Sequence, residues 1–333
     1  MARKEIEEEV EEPKKTGKIK TVSDLPGVGD KIAEKLKSAG YIDMMAIAAA
    51  APWELEDNAG LGEGTAAKII EAARETLDMG FESATKILER RQKIIKITTG
   101  SKNLNGLIGG GVETGSTYEF HGGFGSGKSQ IAHQLAVNVQ LPVEKGGIDG
   151  GCLYIDTEGT FRPERILQMA KALGMDTDEA VSKVMSARAY NSDHQCILIE
   201  KAAEIIREKN IKLVVVDSVT ALFRSDYTGR GELAPRQQRL NRHLHALQRL
   251  ADVYNVAVFM TNQVMSRPDI MYGDPTAPIG GHVMGHFATV RCYLRKSKGD
   301  TRIARMIDSP NLPEGECVFT VTSDGIGDPE NKD

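Results

Sequence analysis

The sequence predicts an α/β protein: a large domain built on a mostly parallel central sheet, preceded by a small all-α domain. Three observations predict it. From Thr98 onward, apolar strand-like runs alternate with stretches of helical spacing. One such run, Thr117-Tyr118-Glu119-Phe120, enters a glycine-rich loop and then a helix start at Ile131 to Val139. Ahead of both lie two similar glycine turns, each opening a helix, at Asp24–Ala33 and Asn58–Ile69.

A chain of 333 residues is long enough for a large core and one small domain. Its 40% hydrophobic and 27% charged residues describe an ordinary globular protein. No apolar run reaches the roughly 18 residues of a membrane span, so no membrane partner is expected. Met1-Ala2-Arg3-Lys4 leads into acid rather than an apolar stretch, which argues against a signal peptide and for the cytoplasm. The four cysteines, Cys152, Cys196, Cys292 and Cys317, are scattered without C-x-x-C spacing. Most sit in apolar strand-like runs, so buried free thiols in a reducing compartment are expected. A formal charge of −5 by itself disfavours nucleic acid, yet six glutamates within Met1–Glu12 carry most of it. Local patches, not net charge, decide the partners.

In order along the chain, residues 1–19 form a charged, low-complexity tail expected to be disordered. Residues 20–77 carry the two glycine turns in a helix-hairpin-helix pattern. Such a turn exposes N–H groups at a helix N-terminus, which can hold one phosphate of a nucleic-acid backbone. A small helical packing module or a protein-docking surface fits the same pattern, because the basic flanks Lys31, Lys35 and Lys37 are modest. Residues 78–97 link this block to the large domain, residues 98–333. There, strands are expected at 116–121, 151–156, 213–217, 256–262, 289–295, 302–308 and 317–321. Helices are expected near 129–139, 163–173, 195–209 and 236–253, and the late strands read as an antiparallel meander.

The glycine loop is a complete G-x-x-x-x-G-K-S phosphate loop: Gly122, Gly123, Phe124, Gly125, Ser126, Gly127, Lys128 and Ser129, with Gln130 next in the helix. Its glycines let backbone N–H groups face a nucleotide phosphate, and the helix N-terminus adds positive potential. Lys128 reaches the β/γ-phosphates, and the Ser129 hydroxyl can ligate Mg²⁺. Leu213–Asp217 is a continuous apolar run ending in a carboxylate, which puts Asp217 beside the loop as a second Mg²⁺ partner. Leu153–Glu158 is another strand ending in acids. Glu158 is the expected base for the attacking water and Asp156 a structural group, with a helix-capping or solvated Glu158 as the alternative. Val258–Gln263 ends a fourth strand in an amide able to sense a γ-phosphate. Long loops follow it from Val264 through Gly280 and Gly281, and also run from Arg224 to Pro235 around Arg230. Arg236, Arg239 and Arg242 flank the latter, so a nucleic-acid channel is expected at this end of the sheet.

Taken with Asp156–Arg165, Asp226–Leu233 and Asn262-Gln263-Val264, these motifs resemble the RecA-type strand-exchange recombinases and their archaeal branch, from about residue 20 to the end. The resemblance implies a RecA-like P-loop ATPase core with a helix-hairpin-helix domain before it. It further implies filaments or rings on single-stranded DNA, pairing with double-stranded DNA, association with the chromosome and recombination mediators among the partners. By the same resemblance Arg224, Arg230, Arg236, Val264, Gly280 and Gly281 belong to the DNA surface, and Arg165 stacks on adenine. Phe81-Glu82-Ser83-Ala84 matches an F-x-x-A assembly motif, with Ala187 and Ala189 in the receiving pocket. By pattern alone Phe81 reads instead as an intramolecular anchor. Asp308, Ser309, Pro310 and Pro313 match a cap over ATP from the adjacent subunit, His286 a γ-phosphate sensor across that interface, and Asp308 a K⁺ ligand.

Overall fold

The computed structural model describes residues 21–266 and 276–330, without the side chains of Arg230 and Ser266. The acidic tail, residues 1–19, lies outside the described residues, as does the middle of the stretch from Val264 to Gly281. The chain divides into two compact units, one ending at Phe81 and the other beginning at Glu82.

Among its described residues the first unit holds four α-helices: α1 (Asp30–Ser38), α2 (Met44–Ala48), α3 (Pro52–Ala59) and α4 (Glu63–Thr76). Gly29 and Gly62 are the N-caps of α1 and α4, so each glycine turn opens a helix as its spacing predicts. The left-handed φ of +83° at Gly27 favours glycine there. Leu36, Ile47, Leu55 and Ile69 close into the small core. Lys35 Nζ donates to the Gly60 carbonyl at 3.2 Å, so one of the basic flank residues ties the two hairpins together.

In the second unit the helices are α5 (Ala84–Arg91), α6 (Lys102–Leu107), α7 (Lys128–Asn138), α8 (Pro163–Ala172) and α9 (Thr177–Ser182). They continue with α10 (Ser192–Glu208), α11 (Ala221–Asp226), α12 (Leu233–Tyr254) and α13 (Gly281–Gly285). The strands are β1 (Lys96–Ile97), β2 (Val112–Glu113), β3 (Thr117–Gly122), β4 (Gly151–Asp156), β5 (Val184–Arg188), β6 (Ile211–Asp217) and β7 (Ala257–Asn262). After them come β8 (Val264–Ser266), β9 (Thr276–Pro278), β10 (Val290–Lys296), β11 (Thr301–Asp308), β12 (Glu316–Val321) and β13 (Ile326–Gly327). Among the described residues, nine strands form one sheet in the order β13-β12-β11-β10-β3-β7-β6-β4-β5. From β10 to β5 every pairing is parallel; β10 to β13 pair antiparallel.

Both faces of the parallel part are covered. Tyr154, Val215 and Phe259 enter one core with Ile131 and Leu135 of α7. Their strand neighbours Ile155, Val214, Val216 and Met260 enter another with Ile199 of α10 and Leu244 and Leu247 of α12. Because successive side chains point to opposite faces and both faces are buried, these strands read as unbroken apolar runs.

Several expectations need correction. The strand expected at 289–295 is not simply part of the antiparallel meander, since β10 pairs parallel with β3 and is the seam between the two halves. The edge strand β5 had no apolar run to mark it because much of it is exposed. The loop expected from Arg224 to Pro235 is largely helical: Arg224 lies in α11, Arg236 in α12, and residues 230–232 make a 3-10 turn. Leu240, Leu244 and Leu247 anchor α12 in the core, and this helix continues back through the polar residues to Leu233. Of the cysteines only Cys152 and Cys292 are fully buried; Cys317 is half-buried in β12, and Cys196 is half-buried in α10 rather than in a strand. All four are free thiols.

Three buried histidines, His121, His133 and His243, are held below their ordinary pKa by burial and make stability depend on pH. Burial lowers His121 to about 4, against the pull of Glu119, and lowers His243 to about 3. In the unfolded chain each ring protonates near 6.5. The unfolded state therefore holds more protons below that pH, and stability present above it is lost as pH falls toward 4. Urea midpoints should drop between pH 7.5 and pH 4.5, and His243→Gln should flatten the drop. An unchanged slope in the variant would contradict the assignment.

Candidate nucleotide site and nucleic-acid interface

The phosphate loop joins the end of β3 to the start of α7. At Gly122 a Cβ would lie 2.2 Å from the Leu294 carbonyl oxygen, so the loop's first position admits only glycine without a shift of β10. Gly127, the N-cap of α7, has a left-handed φ of +100°. The loop and its surroundings line a cleft of about 500 Å³ with Gln130, Glu158, Thr160, Asp217, Gln263 and Val264.

Lys128 Nζ donates to the carbonyls of Gly122 at 2.8 Å and Gly123 at 3.0 Å. Burial lowers its pKa, while Asp217 and Glu158 favour the cation. Ser126 Oγ is buried in the loop with no hydrogen-bond partner among the described residues. An orphaned hydroxyl, a lysine ammonium and a helix N-terminus around one glycine cradle fit the triphosphate of a nucleotide. Asp217, at the end of β6, is buried and accepts from the Tyr154 hydroxyl at 2.7 Å and from Thr261 Oγ1. These two hydroxyls hold the carboxylate beside Ser129, a donor set suited to Mg²⁺ with its waters.

Glu158 owes its position to Asp156. Asp156 Oδ1 accepts from the backbone N–H groups of Glu158, Gly159 and Thr160, and Oδ2 from that of Phe161. This nest fixes the turn after β4. Glu158 Oε1 then accepts from Gln263 Nε2 at 2.7 Å, so the expected base and the expected sensor meet at the mouth of the cleft. Arg165 Nε donates to Gln130 Oε1 at 2.7 Å, and its guanidinium also reaches the Thr322 and Ser323 carbonyls. That fixes its plane beside the helix carrying the loop.

Motif matching alone pointed to Gly122–Ser129, Glu158, Asp217 and Gln263, and all line one cleft. Asp308, Pro313 and His286 are exposed and do not line it. The His286 ring stacks on His282 at 6.1 Å. Val264 lines both this cleft and a second one of about 510 Å³, whose wall includes Arg291, Arg295 and Arg305. Arg295 and Arg305 were missed by sequence reasoning, although their register neighbours across β10 and β11 place them on one sheet face. Val264 also begins a two-stranded ribbon, pairing with Pro278 as β8 with β9. Gly280 and Gly281 follow with left-handed φ of +103° and +59°. Arg224 is exposed and Arg236 half-buried; the side chain of Arg230 lies outside the described residues. Phe81 and Ala84 are exposed. β5 is the terminal strand of the sheet; on it Ala187 is half-buried, and just beyond it Ala189 is closed into the core.

The Rad51 family model matches residues 90–329, the whole sheet and cleft. The chain belongs to the Rad51 family. A SAM-like helix-hairpin-helix tandem model matches residues 19–75, the four-helix unit. Among curated proteins the chain is similar to the "DNA repair and recombination protein RadA" of Aeropyrum pernix, 56% identical over 312 residues, covering 94% of this chain and 98% of the relative. The protein of the same name from Metallosphaera sedula is 54% identical over 324 residues, covering 97% and 99%. For a Rad51-family chain the α/β class and the RecA-like core with its helix-hairpin-helix unit follow as expected. No helix among the described residues is long and apolar enough to cross a membrane.

Proposed function

We propose that this chain is an ATP-dependent DNA recombinase that forms filaments on single-stranded DNA, pairs it with homologous duplex and exchanges strands. Hydrolysis of ATP is stimulated by DNA. The observation that carries this reading is the Gln263–Glu158 hydrogen bond. Gln263 is followed at once by Val264, the root of the second loop, so a group that touches the base also begins a nucleic-acid element.

In this reading the loop amides, Lys128 and Ser129 bind the triphosphate, while Ser129 and Asp217 hold Mg²⁺, which neutralises phosphate charge when bound. Glu158 takes a proton from the attacking water, and Gln263 orients it. Arg165 and Gln130 receive the base. Arg224, Arg230, Arg236, Val264, Gly280 and Gly281 form the DNA surface. Asp308, Pro313 and His286 complete the site of a neighbouring copy, with K⁺ at Asp308, so hydrolysis depends on assembly. The protein works in the cytoplasm on the chromosome, where recombination mediators are further partners.

Assembly uses Phe81 and Ala84 of one copy at the β5 edge of the next, beside Ala187 and Ala189. A fully exposed phenylalanine on a linker and a sheet edge with no outer strand among the described residues support this pairing. Phe81→Glu should give a folded monomer, because an apolar pocket accepts a carboxylate only at a high cost. Size-exclusion chromatography and negative-stain microscopy, each with single-stranded DNA and ATP, check this. Normal filaments from the variant would overturn the assembly assignment.

A further inference from the structure

A buried polar chain crosses the centre of the sheet. Glu119, in the middle of β3, is fully buried; besides His121 Nδ1 at 3.7 Å, its carboxylate accepts two side-chain hydrogen bonds. Its Oε2 accepts from Arg291 Nε of β10 at 2.6 Å, and its Oε1 from Asn262 Nδ2 of β7 at 2.7 Å. The same Asn262 amide donates to the Ile279 carbonyl at 2.7 Å and accepts from Thr220 Oγ1 at 2.6 Å. Arg291 Nη1 also donates to the Gly285 carbonyl at 3.2 Å.

Each end of this chain falls at a functional element. Glu119 lies three residues before Gly122, where the phosphate loop starts. Thr220 occupies the N-cap position of α11 with its hydroxyl turned to Asn262, and α11 leads toward Arg224 and Arg230. Ile279 directly precedes Gly280 and Gly281, and its N–H donates to the Gln263 carbonyl at 2.9 Å. Asn262 is the chain neighbour of Gln263. One amide, with both N–H groups and its oxygen engaged, therefore bonds to the roots of both nucleic-acid elements and to the strand carrying the phosphate loop, and it stands next in the chain to the residue bonded to Glu158.

Stability alone does not account for this arrangement. A buried ion pair loses hydration in proportion to what it gains by attraction, and apolar packing of similar volume is often as stable. Fully satisfied buried networks instead hold one geometry among neighbouring elements. We infer that Asn262, held by Glu119, Arg291 and Thr220, is the positioning unit that couples occupancy of the two DNA loops to the Gln263–Glu158 pair. This rests on the recombinase reading above. None of the four touches the reacting atoms; they act through Gln263. Movement of either loop root must pull on the Asn262 amide, and a side chain one residue from Gln263 cannot shift without moving it.

Thr220→Val tests this, since it removes one hydroxyl at constant volume and touches neither nucleotide nor base. Phosphate release is measured with and without poly(dT), together with the KM for ATP, poly(dT) affinity and the thermal midpoint. Stimulation by poly(dT) should fall about fivefold or more while basal kcat, KM and affinity stay within about twofold. Thr220→Ser, which keeps the hydroxyl, should restore it. Unchanged stimulation in Thr220→Val, or basal and stimulated rates falling together with the thermal midpoint, would overturn the inference. Absence of stimulation in the unaltered protein would instead overturn the recombinase reading on which it stands.

Discussion

Lys128→Ala should abolish ATP turnover while leaving the protein folded. Among the residues lining the nucleotide cleft, Lys128 is the cation, and Asp217 and Glu158 are the anions. Removing the ammonium would leave two carboxylates in the cleft, with only the loop amides, the α7 N-terminus and Mg²⁺ to offset them beside the triphosphate. The loss falls on charge that develops during phosphoryl transfer, where preorganised donors contribute most. Deleting one such donor costs about 10²–10³ in kcat. In the structure Lys128 Nζ donates to two loop carbonyls that other donors can satisfy, so the fold should survive. Phosphate release at saturating ATP and single-stranded DNA measures the effect, with circular dichroism as the control for folding. Turnover within about tenfold of the unaltered protein would contradict the assignment.

Glu158→Gln separates binding from chemistry. The amide preserves the size of the side chain and can still pair with Gln263, and Asp156 continues to shape the turn. What disappears is the proton acceptor. General-base catalysis contributes about 10²–10⁴-fold, so hydrolysis should fall by that factor while ATP affinity holds. A fluorescent ATP analogue reads affinity and phosphate release reads chemistry. Filaments of the variant should then persist, since ATP-bound subunits no longer turn over. Hydrolysis near the unaltered rate would assign Glu158 to capping or solvent instead.

The nucleotide cleft was legible in the sequence because its parts are short contiguous strings. Gly122–Ser129 carries its own geometry, and Glu158, Asp217 and Gln263 each stand at or just beyond the end of an apolar strand, where a parallel sheet collects its ligands. The groups that hold those residues were not legible. Tyr154 and Thr261 sit inside buried strands and read as core, yet both donate to Asp217. Glu119 lies 143 residues from Asn262 and 172 from Arg291, and nothing local marks them as partners. Strand β5 escaped because an exposed edge has no apolar run. The stretch from Arg224 to Pro235 looked like a loop because its glycine and charges mask a helix whose apolar face begins only at Leu240. Pattern reading finds residues that act on a ligand; it loses those that act through another residue.

The most direct test of the account is formation of joint molecules between single-stranded DNA and homologous supercoiled duplex, with ATP and Mg²⁺. Strand exchange requires the nucleotide site, assembly and both DNA surfaces at once. Product that depends on homology and vanishes with Lys128→Ala is the predicted result. A chain that binds ATP and single-stranded DNA yet yields no joint molecules would contradict it.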